Sequence, residues 1–352
     1  MAKRIVVCTD GTWDGSGNDT NVYKLYNSVT VSANQIAFYD NGVGDTGQPI
    51  ERLLGGAFGT GLFQKIKKAY TQVAHVYEAG DELFLFGFSR GAYTARSLAG
   101  MIAICGIPTK DFTDDVVETA FNAYRNKDQR AALLASLNDY GMYDAKITML
   151  GVWDTVGSLG IPAIFGGVSP LLYGFLDTSL HPDVLNAYQG LAIDERRAEF
   201  PPTLWTSVPA QGQTLEQVWF CGVHSDVGGG YSDDPMTGTA LSDITLSWIL
   251  AKACALGLTI SGPAQIQYAA PLDPKYALDE LHDSWTPLWG FPRARDIAKT
   301  ASLSNSVVVR CVHAASYRPS NLDLVNGAPA DTYRIVPVVQ QTAQVAAAGG
   351  KS

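Results

Sequence analysis

Three side chains stand at positions and in an order from which a covalent hydrolysis could be built. Ser89 lies in Gly87-Phe88-Ser89-Arg90-Gly91, Asp154 in Gly151-Val152-Trp153-Asp154-Thr155-Val156-Gly157, and His224 in Cys221-Gly222-Val223-His224-Ser225-Asp226. A serine hydroxyl is a weak nucleophile, so it must be exposed, set against a base and offered donors for the oxyanion it creates. The G-x-S-x-G pattern meets the first need when it joins a strand to a helix. Here Leu83-Phe84-Leu85-Phe86 precedes it as a buried strand, and Ala92 to Ala99 follows as a helix. In this reading His224 takes the Ser89 proton and returns it to the leaving group, while Asp154 fixes the imidazole tautomer. The amide of Arg90 is the first oxyanion donor, and Gly11 or Thr12, just past the first strand, offers the second. Asp10, Trp13 and Phe88 flank these turns and are nominated to touch substrate.

Alternatives stay open at two points. Only His75, His181, His224, His282 and His313 could supply the base. His75 falls in a helix and His181 in an apolar stretch, whereas His313 follows a run, Val307 to Val312, that reads as the last strand. His224 is preferred, but with His313 as base the acid would become Asp226. Alternatively, Asp10, Asp154, His224 and Asp226 on neighbouring strand ends could hold a metal, giving a metal-dependent phosphoesterase. That reading leaves the serine turn unused, and the preferred one calls for neither metal nor cofactor. Asp14 to Leu25 fails as a calcium loop at its sixth and twelfth positions, and Leu53 to Gly61 fits neither common phosphate-loop pattern.

Such residues need a frame that brings strand ends to one edge. Apolar, β-branched runs recur, each followed by Gly, Asp or Ser and then by a helix-like stretch, which is the alternation of a doubly wound, mostly parallel α/β sheet of the α/β-hydrolase type. The predicted strands are Arg4 to Cys8, Gln35 to Tyr39, Leu83 to Phe86, Lys146 to Gly151, Gln217 to Cys221 and Val307 to Val312. An amphipathic helix is expected to run to about Glu78. Residues 1–338 read as one catalytic domain. Within it, 157–200 is poor in charge toward its start and rich in Gly, Pro and large apolar residues, suiting an insertion or lid. Residues 339–352, rich in Ala, Gly and Gln, read as a disordered tail.

The 352 residues carry 25 Lys and Arg against 34 Asp and Glu, a net charge of −9, which argues against a nucleic-acid partner. The same charge gives no attraction to anionic lipid, so any peripheral membrane contact must be hydrophobic. Five scattered cysteines without metal-ligand spacing read as buried, reduced thiols. The chain begins with Met-Ala-Lys-Arg and a strand pattern, lacks a signal-peptide core, and contains no run of about 18 apolar residues. Synthesis as a soluble cytoplasmic protein is expected, with secretion by a route that cleaves no signal left open. The sequence does not set an oligomeric state.

Four motifs occur together and in order: Thr9-Asp10-Gly11-Thr12-Trp13, Gly87 to Arg96, Val152 to Gly157 and Gly222 to Tyr231. With Ile193-Asp194-Glu195-Arg196-Arg197, Phe200 to Trp205 and the late stretch His313 to Arg318, they resemble the α/β-hydrolase domain-of-unknown-function family that includes the catalytic domain of type VI secretion phospholipase effectors. The resemblance spans roughly residues 4 to 318. It implies a triad at Ser89, Asp154 and His224, hydrolysis of carboxylic esters such as phospholipid acyl esters, and a secretion apparatus as a partner. Two departures bear on lipid specificity: Gln189-Gly190 stands where the family would have a His, and the chain ends soon after the catalytic region, without the membrane-anchoring domain of the large effectors. A non-catalytic partner-binding module on the same fold is the rival from another class. Arg96 and Arg197 are read as structural partners of acids such as Asp194 or Glu195. Trp285 to Pro292 is read as packing rather than a lipid-contacting edge.

Overall fold

A computed structural model of the protein describes residues 2–11, 19–41, 57–157, 178–234, 237–268 and 270–341. Its frame is an eight-stranded sheet of β1 (Arg4–Thr9), β2 (Gln35–Asp40), β3 (Glu82–Phe88), β4 (Ile147–Trp153), β5 (Asn186–Ala192), β6 (Thr214–Phe220), β7 (Ser302–Ser304) and β8 (Arg334–Val336). In space the order is β8-β7-β6-β5-β4-β3-β1-β2, and every pairing between these strands is parallel. The chain therefore reverses its direction of travel across the sheet between β1 and β3. In open α/β sheets the crevice outside the carboxyl ends at such a reversal is where ligands bind. Ser89 follows β3 at that point.

A parallel sheet covered by helices buries both faces of its strands, so alternate residues feed opposite cores. Leu83 and Leu85 of β3 join Ile5 and Val7 of β1 in one cluster beneath α2 (Ala57–Val76), α3 (Arg90–Cys105) and α4 (Asp114–Arg125). Phe84 and Phe86 join Val6 and Cys8 in the other, with Val22 and Leu25 of α1 (Asn21–Ser28) and the apolar residues Leu241, Ile244, Leu246, Trp248, Ile249, Leu250 and Ala253 of α6 (Leu241–Ala255). A five-residue helix, α5 (His224–Gly228), lies between β6 and α6. Among the described residues no helix is long and apolar enough to cross a membrane.

Three sequence expectations are corrected. Val307 to Val312 is not a strand but the body of helix α7 (Asn305–His313), capped by the Ser304 hydroxyl, which accepts from the Ser306 amide. Its Val-Val-Val run favours strand locally, yet Val307, Val308, Val309 and Cys311 are all buried. Arg310 also donates to the carbonyls of Ala277 and Asp279, at 2.8 Å each. Helical packing overrides the propensity. The real strands of that edge, β7 and β8, have three residues each and leave almost no pattern to read.

The stretch 157–200 is not wholly an insertion, because Asn186–Ala192 is a central strand paired with both β4 and β6. Asn, Gln and Gly in that strand disguise it, although Gln189 is buried and its amide donates to the Thr203 carbonyl at 3.2 Å. Residues 158–177 of the predicted lid, and nearly all of the predicted tail, lie outside the described residues. Four of the five cysteines are buried, but Cys254 is exposed.

Candidate active site

The turn after β3 is built by close approach. A Cβ on Gly87 would stand 2.5 Å from the Gly91 carbonyl oxygen, and one on Gly91 would stand 2.0 Å from that of Thr9. A side chain at Gly87 would push α3 off β3 and one at Gly91 would push it off β1, so the glycines flanking Ser89 are dictated by sterics. Ser89 itself is held at φ 57°, ψ −119°, a conformation that costs an L-residue energy and is kept only where the surroundings enforce it. Its amide donates to the Trp153 carbonyl at 3.0 Å. Only three described residues other than glycine have positive φ: Ser89, Asp154 and Asn326. Two of the three are site residues, so the backbone strain concentrates where the chemistry was expected.

Asp154 is placed by β4 and β5 together. Its amide donates to the Gly190 carbonyl at 2.8 Å, and its Oδ1 accepts from the Ala192 amide at 3.1 Å. On the other side Oδ2 meets His224 Nδ1 at 2.6 Å. Arg295, fully buried, clamps the same carboxylate through both terminal nitrogens at 2.6 and 2.8 Å. It also donates to the carbonyls of Ala192 and Phe200 at 2.8 Å each. Burial alone would raise the Asp154 pKa, but Arg295 and His224 outweigh it and hold the carboxyl well below the usual carboxylate range.

His224 opens α5 and is 4% exposed. Its ring lies between Phe88, at 4.5 Å between centroids, and Phe200, at 5.1 Å. Gly228, one turn on, is needed for this: a Cβ there would enter the Phe88 ring at 2.0 Å. Phe88 thus locks the histidine helix against the strand that ends just before Ser89. Burial pulls the His224 pKa below the ordinary imidazole value, although the hydrogen bond that its Nδ1–H donates to Asp154 opposes it. Burial therefore favours the neutral ring. With Nδ1–H given to Asp154, Nε2 is left as the proton acceptor.

Other nominated residues fall elsewhere. Phe88 is buried in this packing rather than set out to meet substrate. Asp10 is also buried, its carboxylate taken up by the Gly11 amide at 2.8 Å, the Tyr39 hydroxyl at 2.9 Å and the Thr20 hydroxyl. Gly11 therefore gives its N–H to Asp10. Arg90 is the first residue of α3, so its amide points out of the helix N-terminus. Thr12 and Trp13 lie outside the described residues. His313 ends α7 in solvent, and Asp226 does not serve it. Asp226 instead meets Nδ1 of His282 at 2.6 Å and accepts from the amides of Val223 and His282 at 3.0 and 3.1 Å. Asp10, Asp154 and Asp226 thus turn to separate partners, and no group of three or more metal-ligand side chains occurs among the described residues.

Arg197 pairs with Glu195 through two nitrogens, at 2.9 and 2.8 Å, as its structural reading anticipates. Glu195 in turn accepts from the His224 amide at 3.3 Å. Arg96 differs: it donates to the Thr203 carbonyl at 2.5 Å and stacks on Trp205 at 4.1 Å, with no acidic partner among the described residues. In the sequence Arg295 carries no signal, and His282 is only one of five candidate bases. Neither sits at a strand end, and each acts across a long separation in the chain.

Residues 3–252 match the family model described as the type VI secretion system phospholipase effector Tle1-like catalytic domain. The chain belongs to that family. An uncharacterized protein of Saccharomyces cerevisiae, YEL023C, is 31% identical over 235 residues, covering 59% of this chain and 33% of its own. The present chain thus spans a third of the curated relative it matches. Among solved structures, an uncharacterized Pseudomonas aeruginosa protein is similar at TM-score 0.45 and 17% identity, covering 74% of this chain and 47% of its own. The Tle1 effector bound to the VgrG spike is similar at TM-score 0.38 and 18% identity, over 67% of this chain and 53% of that one. Arg295, which clamps the acid of this Tle1-like domain, lies beyond the matched span.

Proposed function

We propose that this Tle1-like domain is a serine esterase that cleaves acyl esters of phospholipids, an A-type phospholipase, with Ser89, His224 and Asp154 as its triad. The observation that carries the reading is the 2.6 Å contact of Asp154 with His224 Nδ1, in a ring packed on Phe88 directly before the strained Ser89. His224 Nε2 removes the Ser89 proton as Oγ attacks the ester carbonyl. The tetrahedral oxyanion is met by the Arg90 amide at the positive end of α3. On collapse the carbon–oxygen bond to the leaving alcohol breaks and the imidazolium protonates that alcohol. Water, deprotonated by His224, then attacks acyl-Ser89 and releases the fatty acid and the serine hydroxyl. Arg295 keeps Asp154 ionised and oriented throughout.

Membership of an effector family also supports, as part of the same proposal, delivery to the target lipid by a secretion apparatus. A fluorophosphonate probe tests the chemistry. Covalent labelling of the wild type and not of Ser89→Ala is expected. Activity indifferent to Ser89→Ala, but abolished by chelation and restored by a divalent ion, would replace the serine mechanism with the metal one. Release of labelled fatty acid from a phospholipid panel tests the substrate class.

A further inference from the structure

The loop from Trp285 to Pro292 reads in sequence as packing, yet its two most apolar residues stand largely exposed. Leu288 is 77% exposed and Phe291 93% exposed. The loop is nonetheless built rigidly. Pro287–Trp289 forms a 3₁₀ turn closed by Gly290, and the Trp285 indole N–H donates to the Gly290 carbonyl at 3.1 Å. Its ends are pinned, one by the ion pair of Arg196 with Asp283, the other by the Arg293 amide on the Arg196 carbonyl at 2.8 Å. A loop free to relax would turn these side chains inward, whereas this one holds them out in water.

Its inner side leads to the catalytic histidine. The Trp289 ring meets Phe200 at 5.5 Å, edge to face, and Phe200 meets His224. The tip therefore stands on the rim of the proposed active site. The flanking groups grade from apolar to cationic, since Arg196 lies over Trp285 at 5.4 Å and Arg197 over Trp289 at 5.2 Å. Indole rings backed by arginine, below a fully apolar tip, match the layering of a membrane interface.

We infer that Leu288 and Phe291 are an interfacial anchor that inserts into a phospholipid surface and seats the mouth of the site against it. The inference rests on the esterase reading, because a phospholipid substrate is presented in a bilayer. Area separates the lipid surface from a protein partner: two side chains offer on the order of 400 Å², about half of what each partner in a stable protein complex buries. Charge acts the same way. With −9 overall and the nearby Arg196 neutralised by Asp283, attachment depends on apolar insertion and needs no anionic lipid.

The test is co-sedimentation of the full chain with phosphatidylcholine vesicles, alongside hydrolysis of a short-chain, water-soluble ester. Binding is expected to persist in 0.5 M salt (about a 4 Å screening length). Phe291→Asp and Leu288→Asp should each weaken it roughly tenfold or more, while soluble-ester turnover stays within about twofold; Phe291→Trp should restore binding. Unchanged vesicle binding in both aspartate variants overturns the inference, as does binding confined to anionic vesicles and removed by salt. A wild-type dimer in light scattering that either variant splits would overturn it too, by making the tip a self-contact. No turnover of the soluble ester in the wild type would sink the esterase reading alone, because sedimentation reports on the anchor independently.

Discussion

Two histidine–carboxylate pairs sit near each other in this protein, with the same 2.6 Å contact through Nδ1 and different surroundings. His224 and Asp154 are both buried; the imidazole lies between two phenylalanines and the carboxylate is clamped by Arg295. His282, with a side chain 26% exposed, stacks on Tyr231 at 3.7 Å, and its partner Asp226 caps the start of α5 through the Val223 amide. The acids respond oppositely. Burial lifts the Asp226 pKa, only partly offset by Val223 and His282, whereas Arg295 reverses the effect of burial at Asp154. A His–Asp hydrogen bond alone is therefore not a catalytic pair. In the proposed mechanism it becomes one where a cation keeps the acid charged and where the ring packs on Phe88, the residue before the proposed nucleophile. The second pair fastens the loop carrying residue 282 to the helix that carries the first.

Removing a member of the proposed triad should have the largest effect. Ser89→Ala and His224→Ala should each lower turnover by about four orders of magnitude or more, as loss of a triad member does, measured on a soluble ester with folding checked by circular dichroism. An equal loss in His282→Ala would erase the distinction between the pairs.

Next in size is Arg295→Gln, for which turnover should fall on the order of a hundredfold. Its pH profile sharpens the comparison. His224 must be neutral to accept a proton, so activity falls as pH drops through its pKa, which burial places below the ordinary imidazole value. Deleting a nearby positive charge stabilises imidazolium and should move that acid limb to higher pH, while Arg295→Lys should leave it nearly in place. A purely structural arginine would scale the profile without shifting it.

Gly228→Ala is expected to act through Phe88. The new methyl collides with the ring that wedges His224, so turnover should fall together with a loss of stability of roughly 1–3 kcal/mol, read from urea denaturation. Smallest in turnover is His282→Ala. The Asp226 carboxylate loses a partner, which should cost about 1–3 kcal/mol of stability, with turnover changing less than about tenfold. Unaltered stability would deny the second pair its fastening role.

What could be read without coordinates was whatever short-range sterics impose. Gly87 and Gly91 announce the turn because no other residue fits where α3 closes on β3 and β1, and the alternating apolar residues of β1 and β3 announce a sheet buried on both faces. Ser89, Asp154 and His224 could be nominated because each follows a strand and parallel strands end on one edge. The α/β class, the strand cores and the order of the three side chains follow from such local rules.

Local rules failed where a side chain's partner is remote. Val307 to Val309 favour a strand by themselves and form a helix because two cores and the Arg310 contacts enclose them. Nothing near Arg295 hints that it will reach Asp154, 141 positions away, and nothing near Asp226 selects His282 over His313. Asp10, placed like a site residue, is spent on Thr20 and Tyr39. Sequence specified which groups could do chemistry; only the tertiary structure decided which were desolvated, charged and facing one another, because those properties belong to packing between segments rather than to any one of them.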